Sequence, residues 1–169
     1  MNKNIKSIVV LFSICLVVAV LLAAVNYITD PIIKKNALLA EQASLRVVLE
    51  GAEEFEELSL GEGTPATVTG LYKEINGLGY VVTVSTSSSY SQSPMTFTVG
   101  VTAGGKIADI EITNYSETKN FEDYPDSFKG LGGSEINGVD VFSGVTYSSE
   151  AFKTALSDAL TTVEEVAAK

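Results

Sequence analysis

The segment best equipped for chemistry is Asp140-Val141-Phe142-Ser143-Gly144-Val145-Thr146-Tyr147-Ser148-Ser149. This small-residue, hydroxyl-rich turn runs into a stretch where Phe152, Ala155, Leu156, Ala159, Leu160 and Val163 recur at helical spacing. The first turn of a helix leaves backbone N–H groups without intrahelical partners and carries the positive end of the helix dipole. A phosphate is readily held at such a place. The same residues also read as a tight turn with helix-capping hydroxyls, and residue type alone does not separate the two.

What is missing narrows the chemistry. The 169 residues contain no His, no Trp and one Cys. Without His there is no Ser-His-Asp triad, no imidazole proton relay and no His-ligated zinc or haem. A single Cys holds neither an internal disulfide nor an iron–sulfur cluster. A protein so equipped moves electrons only with an added cofactor. Gly130-Leu131-Gly132-Gly133 lacks the spacing and the strand–helix context of a dinucleotide fingerprint.

The charge is split along the chain. Residues 1–36 hold Lys3, Lys6, Lys34 and Lys35 against Asp30, a balance of +3, and residues 37–169 carry −13. So acidic a body is repelled by nucleic acid and by anionic lipid head groups, which sets DNA and RNA binding aside. The basic end encloses Ile8 to Val25, apolar at every position but Ser13. At about 1.5 Å per residue that stretch covers roughly the 30 Å hydrocarbon core, and it predicts a single N-terminal transmembrane helix. A cleaved signal peptide is the competing reading, because Lys3 and Lys6 resemble a positive n-region. The apolar stretch exceeds the usual ~7–15 residues, however, and Leu22-Ala23-Ala24 lacks a small residue at its first position. Lys3 and Lys6 put the N-terminus in the cytoplasm and the body outside, while Lys34 and Lys35 count the other way. Cys15 lies mid-span and reads as a buried apolar thiol, since Ile14 before it is too large for a lipoprotein cleavage site.

The elements that must position Ser143 to Thr146 follow from the rest of the chain. Asp30-Pro31 allows a kink or a helix start, and Ile32 to Leu49 predicts a juxtamembrane helix. Glu53 to Glu57, with four acids, reads as a solvated connector, and Gly61 to Pro65 as a loop. Strands are predicted at Thr67 to Tyr72 and Tyr80 to Ser85, with Asn76-Gly77 between them as a turn. Ser85 to Pro94 reads as a polar surface loop. Phe97, Val99 and Val101 alternate, Ala103-Gly104-Gly105 turns the chain, and Ala108, Ile110 and Ile112 alternate on the return, which predicts a hairpin. Asn114 to Asp140 is loop-like. A final helix is expected from Glu150 to about Ala168, with Ser148 or Ser149 as N-cap and Glu150 in the first turn. Strands followed by a packing helix predict an α+β fold, a mainly antiparallel sheet with flanking helices.

Asp140, Ser143, Gly144 and Thr146 stand in the register of a known modification motif: an acid, two variable residues, then Ser/Thr-Gly-Ala-Thr/Ser leading toward a helix. The segment resembles the flavinylation motif of the FMN-binding domain family. That family includes the G subunit of the Rnf electron-transport complex and the C subunit of the sodium-pumping quinone reductase. The resemblance extends to the short N-terminal anchor, Thr29-Asp30-Pro31, the hairpin ending in Gly105-Lys106-Ile107, and Glu117-Thr118. Val145 stands where the family has Ala, and Lys119-Asn120 stands where a Pro-Gly follows Glu-Thr. Compact size is closer to the Rnf-type subunit.

The resemblance implies FMN bound covalently through its phosphate to Thr146 by a dedicated flavin transferase. It implies Ser143 and Gly144 at the attachment turn, and Glu117 and Thr118 near the flavin. It further implies an electron-carrying subunit of a membrane-bound, ion-translocating oxidoreductase, partnered by the other subunits of an Rnf-type complex, rather than an enzyme on its own. Residues 1–29 are then the anchor, 30–64 a juxtamembrane helix and linker, and 65–169 the extracytoplasmic FMN-binding domain. A stand-alone extracytoplasmic flavoprotein, or a non-redox surface module in which Ser143 to Thr146 is only a turn, are the alternatives.

Overall fold

A computed structural model describes residues 11–22, 25–26, 29, 42–89, 94–115, 121 and 123–168. The chain divides into two compact units, Met1–Glu41 and Gln42–Lys169. In the first, residues 11–22 are helical, and large apolar side chains such as Leu11, Phe12 and Leu22 are exposed. Among the described residues no helix is long and apolar enough to cross a membrane. The expected span from Ile8 to Val25 falls partly outside them, as do Asp30, Pro31 and residues 32–41 of the expected juxtamembrane helix.

The second unit is built on one five-stranded sheet: β1 (Phe55–Glu57), β2 (Val68–Glu74), β3 (Gly79–Thr86), β4 (Met95–Thr102) and β5 (Ile107–Asn114). Their order in the sheet is their order in the chain, and every neighbouring pair is antiparallel. The C-terminal helix, Thr146–Ala167, buries Phe152, Leu156, Leu160 and Val163 against Val82, Val84, Phe97 and Val99. On the opposite face, helical residues 42–48 and the chain just after them bury Leu45, Val48, Leu49 and Ala52 with Phe55 and Val81. The expected α+β architecture is present.

Covering both faces changes how the central strands read. Along β4, Thr98 and Gly100 are buried along with Phe97, Val99 and Val101, so the strand is not simply alternating. The predicted hairpin forms, but Val101 pairs with Ile107 and Gly100 with Asp109, a bulge that shifts the parity of β5. Ala108 therefore packs against the second core, while Ile107 and Ile110 belong to the first. The expected single face of Ala108, Ile110 and Ile112 is corrected accordingly.

Two further expectations change. Glu53 to Glu57 is not only a connector: Phe55–Glu57 pairs with β2, and Phe55 is buried while Glu56 and Glu57 face solvent. The described residues of Asn114 to Asp140 include two short 3-10 turns, Pro125–Phe128 and Ile136–Gly138, and contribute Phe121, Tyr124, Phe128 and Ile136 to the core.

Gly100 marks the tightest seam in this unit. A Cβ there would collide with the carbonyl group of Val48, a backbone obstacle that no rotamer change relieves. Gly100→Ala is expected to cost about 1–3 kcal/mol by overpacking. Hydrogen exchange should show faster exchange of the amides of residues 45–52 than elsewhere in the unit. Unchanged exchange there would mean the helix does not bear on the sheet.

Glu74 is a buried carboxylate closing β2. It accepts hydrogen bonds from the Leu78 N–H and the Asn76 side-chain amide, both at 3.0 Å. The Leu78 N–H is the main cause holding this carboxyl below its ordinary value, with burial acting against it. A carboxyl lowered in the folded state binds fewer protons there than in the unfolded chain. Its contribution is full above the unfolded value, about 4.3, and fades as pH falls through the folded one. Glu74→Gln is therefore expected to melt below wild type at neutral pH, with the gap narrowing on acidification below about pH 4. A gap independent of pH in thermal melts would refute this.

Candidate functional site

Ser143 to Thr146 is a turn feeding directly into the C-terminal helix. The Val145 N–H donates to the Phe142 carbonyl at 3.1 Å, and Gly144 sits at φ +86°, a left-handed conformation that side chains disfavour. Val145 is the N-cap residue, and among the described residues no side chain caps this helix end. Its isopropyl group is buried in the main core, whereas Thr146 after it is exposed, as are Ser143 and Gly144. The β-branched residue is thus turned into the core, and the threonine after it is exposed.

The helix begins at Thr146 rather than at Glu150. Ser148 and Ser149 are not caps but buried residues of the first turn, and no acidic side chain lies in that turn. Ser149 is committed elsewhere. Its hydroxyl accepts the Phe142 N–H at 3.1 Å and donates to the Val145 carbonyl at 2.9 Å. The Ser149 N–H also donates to that carbonyl, at 2.9 Å.

The segment leading into the turn is held from the same side. Lys153 Nζ donates to the carbonyls of Asn137 at 3.3 Å and Val139 at 2.5 Å. The Tyr124 hydroxyl donates to the Asp140 carbonyl at 3.0 Å. Burial raises the Tyr124 phenol, with the Asp140 charge adding to the shift and the Ser149 hydroxyl opposing it. Beneath lies an aromatic cluster. Phe121 lies 4.8 Å from Tyr124 and 5.5 Å from Phe152 between ring centroids, and Phe142 packs edge-on to Phe121 at 6.3 Å. Tyr115 stacks on Phe121 at 5.3 Å, where Ile110, Ile112 and Pro125 help line a recess of about 400 Å³. Sequence reading missed Tyr124, Lys153 and the Phe121 cluster. Their spacing has no period, and the hydrogen bonds of Tyr124 and Lys153 go to backbone carbonyls.

Of the predicted site residues, Ser143, Gly144 and Thr146 come together in one exposed turn, and Glu117 and Thr118 lie outside the described residues. An exposed hydroxyl at an uncapped helix start, with no carboxylate in the first turn, suits a phosphate group. Phe142 and Tyr147, 37% and 61% exposed, offer aromatic surface close to it in sequence. The residues present therefore fit a flavin mononucleotide attached through its phosphate.

Comparison with known proteins points to FMN as well. Residues 91–161 match the model of the FMN-binding domain. The chain is also similar to the G subunit of the proton-translocating ferredoxin:NAD(+) oxidoreductase complex of Clostridium ljungdahlii. The two are 27% identical over 151 residues, 89% of this chain and 69% of the relative. The stretch matching the domain runs from just before β4 into the C-terminal helix and includes the whole Ser143–Thr146 turn. Over residues 91–161 the chain is similar to the FMN-binding domain, which supports the resemblance read from the sequence.

Proposed function

We propose that this chain is the electron-transfer subunit of an Rnf-type ion-translocating oxidoreductase and carries FMN joined by a phosphoester to Thr146. The observation that carries the reading is the exposed Thr146 at an acid-free helix start that no side chain caps among the described residues. It stands in register with Asp140, Ser143 and Gly144. The similarity to the G subunit of the clostridial complex supports the choice of complex. Ser143 and Gly144 shape the attachment turn, and Phe142 and Tyr147 are the aromatic side chains available to the isoalloxazine ring. Glu117 and Thr118 are proposed near the flavin on the family pattern.

When bound, FMN supplies the one- and two-electron chemistry that the side chains lack. The protein holds and shields it. Covalent attachment suits a body of charge −13, which attracts a free phosphate dianion poorly at long range. In the attachment step the Thr146 Oγ1–phosphorus bond forms and the phosphorus–oxygen bond to the leaving nucleotide of a flavin dinucleotide breaks. The hydroxyl proton leaves with that nucleotide. A flavin transferase performs this step, and the other subunits of the complex are the electron partners.

The proposed layout is an anchor at residues 1–29 and a juxtamembrane segment leading into an extracytoplasmic domain whose compact unit begins at Gln42 rather than at residue 65, in a cell membrane with the N-terminus cytoplasmic. The apolar run from Ile8 to Val25 supports this. The test is expression of the full chain in cells possessing the transferase, followed by denaturing electrophoresis and in-gel flavin fluorescence. Peptide mass mapping is expected to place the flavin on Thr146. A colourless wild type overturns the covalent reading, and a flavin mapped to another residue overturns the attachment site.

A further inference from the structure

We propose that the Ser149 hydroxyl is a positioning residue for modification of Thr146, an inference that rests on the attachment site proposed above. What fixes the direction of the Thr146 Oγ1 is the shape of the turn before it. Gly144 has no side chain to brace that turn, and the start of the helix has no side-chain cap.

Ser149 supplies the brace from three residues downstream. A fully buried hydroxyl both accepts the Phe142 N–H and donates to the Val145 carbonyl, so it closes the chain on either side of Ser143-Gly144. The Val145 N–H to Phe142 carbonyl bond closes the same four residues from within. Removing the Oγ takes away the buried bond to the Val145 carbonyl and the side-chain acceptor of the Phe142 N–H, and the turn relaxes to recover partners elsewhere. A nucleophile displaced by as little as an ångström loses much of its rate, because a group transfer requires alignment with the phosphorus–oxygen bond that breaks. Ser148 provides the contrast. It is also buried, yet the hydroxyl that bonds back to Phe142 and Val145 is that of Ser149.

The experiment uses the full chain, a flavin transferase and flavin adenine dinucleotide, with covalent label followed over time by in-gel fluorescence. Ser149→Ala is expected to be labelled about tenfold or more slowly than wild type, the rate equivalent of one buried hydrogen bond. Ser148→Ala is expected to label as wild type does. Hydrogen exchange of the Phe142 amide should accelerate in Ser149→Ala and not in Ser148→Ala, a local readout that general loosening would not produce. Ser149→Thr keeps the hydroxyl and is expected to recover most of the rate. It also decides the matter if the Ala variant does not fold, since a folded Thr variant that fails to label overturns the proposal. Labelling of Ser149→Ala at the wild-type rate, or equal slowing in both Ala variants, overturns this role alone. A label that persists in Thr146→Ala overturns the attachment site and this proposal with it.

Discussion

Thr146→Ala is expected to yield a folded protein with no covalent flavin. The folded part follows from exposure: the residue contributes nothing to either core, and Ala is the better helix former by a few tenths of a kcal/mol. Stability should change by less than about 0.5 kcal/mol, the usual range for surface substitutions. The loss of flavin follows from the lack of a substitute nucleophile. Ser148 and Ser149 are buried, and Ser143 is exposed but lies on the far side of Gly144 in the turn. Thr146→Ser, which keeps the hydroxyl on the same Cα, is expected to retain the label. Intact-mass measurement beside in-gel fluorescence checks both, with a thermal melt confirming the fold. An alanine variant that keeps the flavin mass would sink the assignment.

Phe152→Ala is expected to have the largest effect on stability. The ring has no exposed surface and packs against four others. Its centroid is 4.5 Å from Phe97, 5.5 Å from Phe121, 5.6 Å from Phe128 and 5.9 Å from Tyr124. Truncating a ring so enclosed removes its transfer free energy and leaves a cavity, about 3–5 kcal/mol together. A domain of this size is stable by only about 5–15 kcal/mol, so a large part of the total is at stake. The damage also reaches the site, because Tyr124 and Phe142 border the same cluster and Tyr124 holds the Asp140 carbonyl. Urea denaturation of the wild type and the variant measures the difference. A change below about 1 kcal/mol would contradict the packing described for the helix.

The parts of this fold that were legible in the sequence are those in which local and tertiary forces agree. Phe97, Val99 and Val101 alternate because one face of β4 meets the C-terminal helix, and Ala103-Gly104-Gly105 supplies the turn. The C-terminal stripe shows because six apolar residues share one helix face. Elsewhere tertiary contacts overrode the local signal. β1 was hidden because acids surround its one buried residue, Phe55, as befits a short edge strand. The helix start was misplaced because Ser148 and Ser149 have the residue type of caps. They are buried instead, and Ser149 bonds back across the turn. The burial of Glu74 leaves no local signal, since the N–H group that satisfies it comes from Leu78, four residues away around the turn. At the site, Asp140, Ser143, Gly144 and Thr146 were legible as a motif. The Tyr124, Ser149 and Lys153 bonds that hold the approach to them were not, because only the folded backbone brings their acceptors into reach.

The C-terminal helix sets an angle as well as an anchor. Each residue turns the chain by about 100° around the helix axis. The burial of Phe152, Leu156 and Leu160 therefore fixes the azimuth at which Thr146 emerges, at the margin of the packed face. Deleting one residue between Thr146 and Phe152 would keep every side chain of the motif but swing it by about 100°, carrying the hydroxyl to a different side of the domain. Length between the motif and the first buried aromatic is thus under the same constraint as the motif's own residues.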